Sequence, residues 1–301
     1  MTIQHITIIG LGLLGSSIAR ATAEFLPDIH IHVYDTQADS VAYALENQFA
    51  DTGYDGLEKS VLQSDMVILA TPLSSFAEIA QRIMPVLKQG AILTDTGSVK
   101  GSVIDAVTPF LRDDIYFIPA HPIAGTEQSG VRAGFSQLFQ GKRLIYTPLM
   151  DYPQIIIDDF TDYWQALGAI VETMDVVHHD QVFAVVSHIP HLIAYNIVGT
   201  AAHLEHISQQ EVIRYAASGF RDFTRLASSD PKIWRDVFLH NKDSVLEMLA
   251  RFTEDLITLQ KAIRYEQGDV LQDFFTQART IRQQLVEAGV ETGHVNFGRD
   301  K

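Results

Sequence analysis

The segment Ile6-Thr7-Ile8-Ile9-Gly10-Leu11-Gly12-Leu13-Leu14-Gly15-Ser16-Ser17 constrains this chain more than any other. A short β-branched run leads straight into G-x-G-x-x-G, and a helix-forming stretch, Ile18-Ala19-Arg20-Ala21, follows at once. That order reads as a strand, a tight turn and the opening of a helix. Gly10 permits the turn, Gly12 leaves room for a pyrophosphate against the backbone, and Gly15 lets the helix pack closely on the strand. The helix N-terminus adds N–H donors and the positive end of its dipole, and Leu13 and Leu14 belong to the same cofactor-facing turn. Asp35 ends a second strand-like run, His32-Val33-Tyr34, 20 residues beyond Gly15. This is the spacing of an acid that accepts hydrogen bonds from the adenine ribose. A carboxylate there repels a 2′-phosphate, and Thr36-Gln37-Ala38 carries no arginine to bind one, so the predicted cofactor is NAD rather than NADP. The bland alternative is a plain strand-to-helix turn in which Asp35 caps the next helix.

From Ile3 to about Thr173 strand-like and helix-like stretches alternate, which predicts a parallel sheet covered by helices. The predicted strands are Ile6–Ile9, Ile29–Tyr34, Met66–Ala70, Ala91–Thr94, Ile115–Pro119, Arg143–Tyr146 and Ala169–Glu172. After Asp175 apolar residues recur at helical spacing, as in Val245, Leu246, Leu249, Phe252, Leu256 and Leu259. The expected architecture is therefore a doubly wound α/β Rossmann domain over 1–174, followed by an all-helical domain over 175–301. The apolar surface of so small a bundle predicts completion by a second copy, a homodimer. Residues 289–301 carry no periodic pattern and read as a mobile tail.

The 301 residues are 47% hydrophobic and 20% charged, and their formal charge of −15 disfavours nucleic acid and anionic membranes as partners. No uninterrupted apolar run approaches the roughly 20 residues that span a bilayer, and no basic leader precedes the first strand. With no cysteine in the chain, a cytoplasmic protein is expected, and catalysis must rest on other side chains.

Ligands of an open parallel sheet sit beyond the carboxyl ends of its strands. Three loops follow such ends: Thr71-Pro72, Asp95-Thr96-Gly97-Ser98-Val99-Lys100, and His121-Pro122-Ile123-Ala124-Gly125-Thr126-Glu127. His121 is the candidate base, since imidazole takes a proton near neutral pH. Ser98 either helps it or caps the helix that begins at Val99 and Lys100. Lys100 holds a carboxylate or is a solvated first-turn residue. Of the twelve histidines, His178, His179, His188, His191, His203 and His206 crowd one region. His188 and His191 stand three apart and share a helix face, but no carboxylate completes a metal motif such as H-E-x-x-H, so no metal is expected. Arg221 and Arg225, in Gly219-Phe220-Arg221-Asp222-Phe223-Thr224-Arg225, suit bidentate recognition of a carboxylate or a surface ion pair.

Taken together, GLGLLGSS at 10–17, TDTGSVKG at 94–101, HPIAGTEQSG at 121–130, SHIPH at 187–191 and GFRDFTR at 219–225 resemble the prephenate and arogenate dehydrogenases of tyrosine biosynthesis. The resemblance implies a monofunctional enzyme with a Rossmann domain and a helical dimerisation domain. It implies that hydride passes to NAD⁺ from the ring carbon bearing the 4-hydroxyl, while the ring carboxylate leaves as CO₂ and the ring becomes aromatic. By the same resemblance His121 meets the 4-hydroxyl with Ser98 beside it, Arg221 holds a substrate carboxylate, His191 reaches the substrate and His188 supports the site. Thr71 and Pro72 join the cofactor residues. Prephenate and arogenate differ as keto and amino side chains, and both remain open; Glu127 and Gln128, which follow the HPIAG loop, are candidates to contact that group, though the sequence does not aim them. The alternatives are a β-hydroxyacid dehydrogenase, which would leave HPIAG and GFRD unexplained, and a non-catalytic NAD sensor, which would need neither base nor arginine.

Overall fold

The computed structural model describes residues 2–126, 128–202 and 209–287. Glu127, His203, His206 and the tail from 289 therefore lie outside the described residues. Two compact units emerge, one drawn from Met1–Tyr195 and Arg225–Val245, the other from Asn196–Thr224 and Leu246–Lys301.

In the first unit, strands β1 (His5–Ile9), β2 (His30–Tyr34), β3 (Thr52–Tyr54), β4 (Met66–Leu69), β5 (Ile92–Asp95) and β6 (Tyr116–Ile118) form one sheet. Its order is β3-β2-β1-β4-β5-β6 and every pairing is parallel. This is the doubly wound Rossmann order, whose topological switch lies between β1 and β4. Helices α1 (Leu13–Phe25), α2 (Ala38–Glu46), α3 (Leu57–Ser60), α4 (Phe76–Ile83) and α5 (Lys100–Val107) connect the strands. Ile6 and Ile8 face one buried cluster while Ile9, Val67 and Leu69 face another, so both faces of the central strands are covered, as their continuous apolar sequence requires.

A second sheet was not foreseen. Pro119 ends the pairing of β6, and β7 (Ala120–Pro122) turns to run antiparallel to β8 (Arg143–Tyr146), which pairs in parallel with β9 (Ile170–Thr173) beyond α6 (Gln154–Ala166). His121 accordingly stands on a strand, not in a loop after one. β3 was missed as well, because three residues, Thr-Gly-Tyr, carry no readable alternation.

α7 (Val176–Phe183) and α8 (Ile189–Ala202) are joined by the π-helical turn Ala184–His188. Pro190 has no N–H to continue the regular ladder, which accounts for the wider turn at that point. His191 Nδ1 instead donates to the Ser187 carbonyl at 2.8 Å. The polar residues of this stretch interrupt its apolar sequence but not the helix. By length and composition Val176–Ala201 suffices to cross a bilayer, with mean hydropathy 1.5, against the expectation from uninterrupted runs alone. α11 (Pro231–His240) returns to the first unit, where Ser74 donates to Asp236 at 3.0 Å. The second unit is helical, containing α9 (Gln209–Tyr215), α10 (Ser218–Thr224), most of α12 (Lys242–Arg264) and α13 (Gly268–Glu287).

Candidate active site

The dinucleotide loop is built by close packing at two glycines and by open space at the third. Gly10 has φ +94°, and a Cβ there would lie 2.7 Å from the Ala70 carbonyl oxygen at the end of β4. A Cβ on Gly15 would stand 1.9 Å from the Gly10 oxygen, so only glycine allows α1 to start where it does. At Gly12 a Cβ would meet nothing within 4 Å among the described residues. That free approach to the backbone, at a helix start with no side-chain cap, fits a pyrophosphate. Leu13 and Leu14 form the first turn of α1, and Thr71 and Pro72 follow β4, with the Thr71 methyl beside Gly10.

Asp35 closes the same corner. Its Oδ2 accepts from Leu11 N at 2.6 Å and its Oδ1 from Gln37 N at 2.8 Å. It does not cap α2, whose N-cap Gln37 makes no side-chain capping bond. Each carboxylate oxygen keeps acceptor capacity for the ribose hydroxyls. The residues present thus fit NAD.

The candidate catalytic residues lie at the same edge of the sheet, where β5 ends at Asp95. Lys100 is neither a solvated residue nor a free carboxylate ligand: it is 0% exposed and its Nζ donates to Asp95 and to the Ala120 carbonyl. Asp95 also accepts from Ala120 N at 3.0 Å and Gly97 N at 2.7 Å. Burial pushes the aspartate up and the lysine down from their ordinary ranges, and their mutual attraction opposes both shifts. This buried pair locks the Ser98 loop onto β7. Ser98 itself is half-buried and caps nothing, because α5 begins after Val99 without a side-chain cap from its own loop. The N-terminus of α5 is satisfied from α7 instead: Asp180 Oδ1 accepts from Lys100 N at 2.8 Å and Oδ2 from Gly101 N at 2.9 Å.

His121 is 9% exposed and lies against Phe183, with ring centroids 4.7 Å apart. Its Nδ1 is 2.9 Å from His179 Nε2, and His179 Nδ1 is 2.8 Å from Asp180 Oδ1. Burial holds the His121 imidazole well below the usual histidine range, aided by His179, Lys100 and His188. The ring is neutral at pH 7 and able to accept a proton.

His188 and His191 come together against one ring. His191 stacks on Trp234 with centroids 3.5 Å apart and planes at 19°, and His188 approaches the same indole edge-on at 6.1 Å. Asn241 Nδ2 is 3.1 Å from His188 Nδ1 and 2.8 Å from the Asp180 carbonyl. Both contacts require the amide to donate, so His188 carries its hydrogen on Nε2, a buried atom without a partner among the described residues. His188 is 1% exposed, and burial lowers its pKa to about 4. Arg225 bears electrostatically on His191. Arg221 belongs to the other compact unit, on α10.

His179, Asp180, Trp234 and Asn241 were absent from the sequence-based candidates. Only His179 carried a signal, as one member of a dense histidine cluster. Gln128 is exposed, with its N–H on Thr126 Oγ1 at 3.2 Å.

A Rossmann-order sheet with this glycine loop and acid, and a buried neutral imidazole at the same edge, defines an NAD-dependent dehydrogenase. The model of the prephenate dehydrogenase nucleotide-binding domain matches residues 18–173, and that of the prephenate dehydrogenase dimerization domain matches 175–277. Cyclohexadienyl dehydrogenase of Zymomonas mobilis is 40% identical over 94% of this chain and 96% of its own. Prephenate dehydrogenase of Bacillus subtilis is 31% identical over 93% of this chain and 76% of its own. The crystal structure of Aquifex aeolicus prephenate dehydrogenase with hydroxyphenyl propionate and NAD⁺ superposes with a TM-score of 0.87 at 33% identity, covering 95% of this chain and 99% of that one. The chain belongs to the prephenate dehydrogenase family and is an NAD-dependent oxidoreductase.

Proposed function

We propose that the chain oxidises and decarboxylates prephenate, arogenate or both, giving 4-hydroxyphenylpyruvate or tyrosine, and that His121 is the base. The observation that carries the reading is a buried, neutral imidazole at the sheet edge that also bears the dinucleotide loop.

Bound NAD⁺ supplies the hydride acceptor. Gly12 and the start of α1 hold its pyrophosphate, Asp35 its ribose, and Leu13, Leu14, Thr71 and Pro72 line the approach. His121 Nε2 receives the 4-hydroxyl proton as the C4–H bond pair departs. Loss of CO₂ sends the ring–carboxylate bond pair into the ring, and His121 returns the proton to the resulting phenolate oxygen. No proton is gained or lost overall. Ser98, free of any capping duty, hydrogen-bonds the same hydroxyl. Aromatisation drives the reaction, so alignment of substrate is the protein's main task.

Arg221 holds a substrate carboxylate, and Arg225, which bears on His191, is its rival for that role. His191 contributes a fixed ring against Trp234, and His188 contributes an N–H from the buried side. The functional division falls at 174/175, with 175–301 as the dimerisation part. Support for a homodimer comes from the dimerization-domain match and from exposed apolar side chains along α12 and α13, including Leu256, Ile263, Phe275 and Ile281. A second copy accounts for that surface, and for the apolar run Val176–Ala201, without a membrane. The absence of cysteine supports a cytoplasmic enzyme.

Steady-state assays with both substrates, each with NAD⁺ and NADP⁺, test the reading. NADH production from at least one substrate is expected, with the lower KM for NAD⁺. Arg221→Ala is expected to raise substrate KM about 10- to 100-fold with little change in kcat, the effect of losing a charge-assisted pair. If Arg225→Ala shows that split and Arg221→Ala does not, the anchor is Arg225. No reduced cofactor from either substrate refutes the proposal.

A further inference from the structure

The contacts of His121 settle more than its position: they determine which of its nitrogens carries the hydrogen. Asp180 is a hydrogen-bond acceptor, so the 2.8 Å contact to its Oδ1 places a hydrogen on His179 Nδ1. A neutral His179 then has a bare Nε2. The 2.9 Å contact from His121 Nδ1 to that atom requires His121 to donate from Nδ1. His121 Nε2 is left with its lone pair, which is what a base needs.

We infer that His179 and Asp180 are positioning residues for the dehydrogenase reaction, holding His121 in the Nδ1–H tautomer so that Nε2 is the atom that meets the substrate hydroxyl. The inference rests on the proposed role of His121 and extends it to two residues that act through that imidazole.

Three features show that the relay is built in. His179 is 0% exposed, so water does not compete for its ring. Phe183 packs on both imidazoles, at 4.7 Å from His121 and 4.5 Å from His179, and limits their rotation. Asp180 is held by the N–H groups of Lys100 and Gly101 at the start of α5, which fix the oxygen that faces His179 and favour its negative charge. The hydrogen bonds of the row all point toward Asp180, and they keep that direction when His121 Nε2 takes up a proton. The other ionisable groups around His121 are Lys100, paired with Asp95, and His188, held neutral by burial. Neither offers His121 an alternative acceptor for its Nδ1 hydrogen.

The test uses the full-length enzyme with ¹⁵N-labelled histidine. His121 signals are assigned by comparison with His121→Asn, and the tautomer is read from the two nitrogen shifts. Wild-type His121 is expected in the Nδ1–H form. His179→Leu is expected to mix in the Nε2–H form and to lower kcat about 10- to 100-fold, the usual cost of losing an orienting partner, with KM within about twofold. Its kcat is also expected to show an altered acid limb in the pH profile. His179→Gln, whose amide oxygen can accept the same hydrogen, is expected to recover most of the activity and the wild-type tautomer. Wild-type His121 in the Nε2–H form, or an unchanged kcat in His179→Leu, overturns the inference. Should His179→Leu fail to fold, the wild-type spectrum still decides. That spectrum requires no turnover, so an enzyme inactive on both substrates would refute the proposed reaction and leave the tautomer result standing.

Discussion

Two histidine clusters stand at opposite ends of the parallel sheet. Near the amino ends of β1 and β2, His5, His30 and His32 pack with ring centroids 5.2 to 5.6 Å apart. Beyond the carboxyl end of β5, His121 and His179 lie 5.1 Å apart, with His188 behind them. Ring spacing hardly separates the two groups. Partners do. Among the described residues, the first cluster leaves His5 Nδ1 and His32 Nδ1 buried without a hydrogen bond, His32 meets the Ser60 backbone rather than a charged group, and Asp51 stands 3.7 Å from His30. In the second, each imidazole has a partner that specifies where its hydrogen sits. A histidine becomes a directed base only where a fixed acceptor or donor breaks the equivalence of its two nitrogens.

Substitution at the two ends should expose the contrast most strongly in turnover. His121→Asn is expected to lower kcat about 100- to 10,000-fold with a small change in KM, the range for a lost general base. His32→Asn is expected to leave kcat within about twofold. Equal losses in the two variants would erase the distinction, and steady-state kinetics at saturating cofactor would show it.

Stability against pH gives the next largest effect. His188 titrates at about 4 in the fold against 6.5 when exposed, so its neutral form belongs to the native state. The associated stability is complete above about pH 6.5 and is lost as pH falls toward 4, on the order of 3 kcal/mol in all, about 2 of it by pH 5. Depressed values at His121 and His179 act with the same sign, as does that of His32 in the other cluster. Urea unfolding at pH 7 and pH 5 should show the loss, and His188→Asn should flatten it far more than His32→Asn. The reverse order would place the acid-sensitive group at the wrong end of the sheet.

A smaller effect is expected from Asp180→Ala, which removes the cap of α5 and the anchor of the relay together. A cost of about 2 kcal/mol at pH 7 follows from lost capping and orphaned N–H groups, measured as a lower urea midpoint.

Legibility followed sequence distance. Gly10, Gly12, Gly15 and Asp35 were readable because their function is local: turn, helix start and strand end all lie within one β-α-β unit. The central strands were readable from their apolar runs. β7 was not, since Ala-His-Pro resembles a loop and becomes a strand only by pairing with β8. Ser98 matched a helix cap in sequence, yet the cap comes from Asp180, 80 positions away from Lys100. Lys100 stayed open between a carboxylate holder and a solvated residue, because its neighbours in sequence do not reveal that Asp95 and Ala120 enclose it.

The sequence by itself determined that this chain binds a dinucleotide, that its first part is a wound parallel sheet, and that His121 is its candidate base. Those properties rest on backbone conformation and on short-range spacing, which a linear pattern records. Tertiary structure alone decided that Lys100 is buried and paired, that His188 and His191 meet at Trp234, and that His121 faces His179 across 58 positions. Hydrogen-bond direction depends on which groups are brought within about 3 Å, and that is a property of the folded chain.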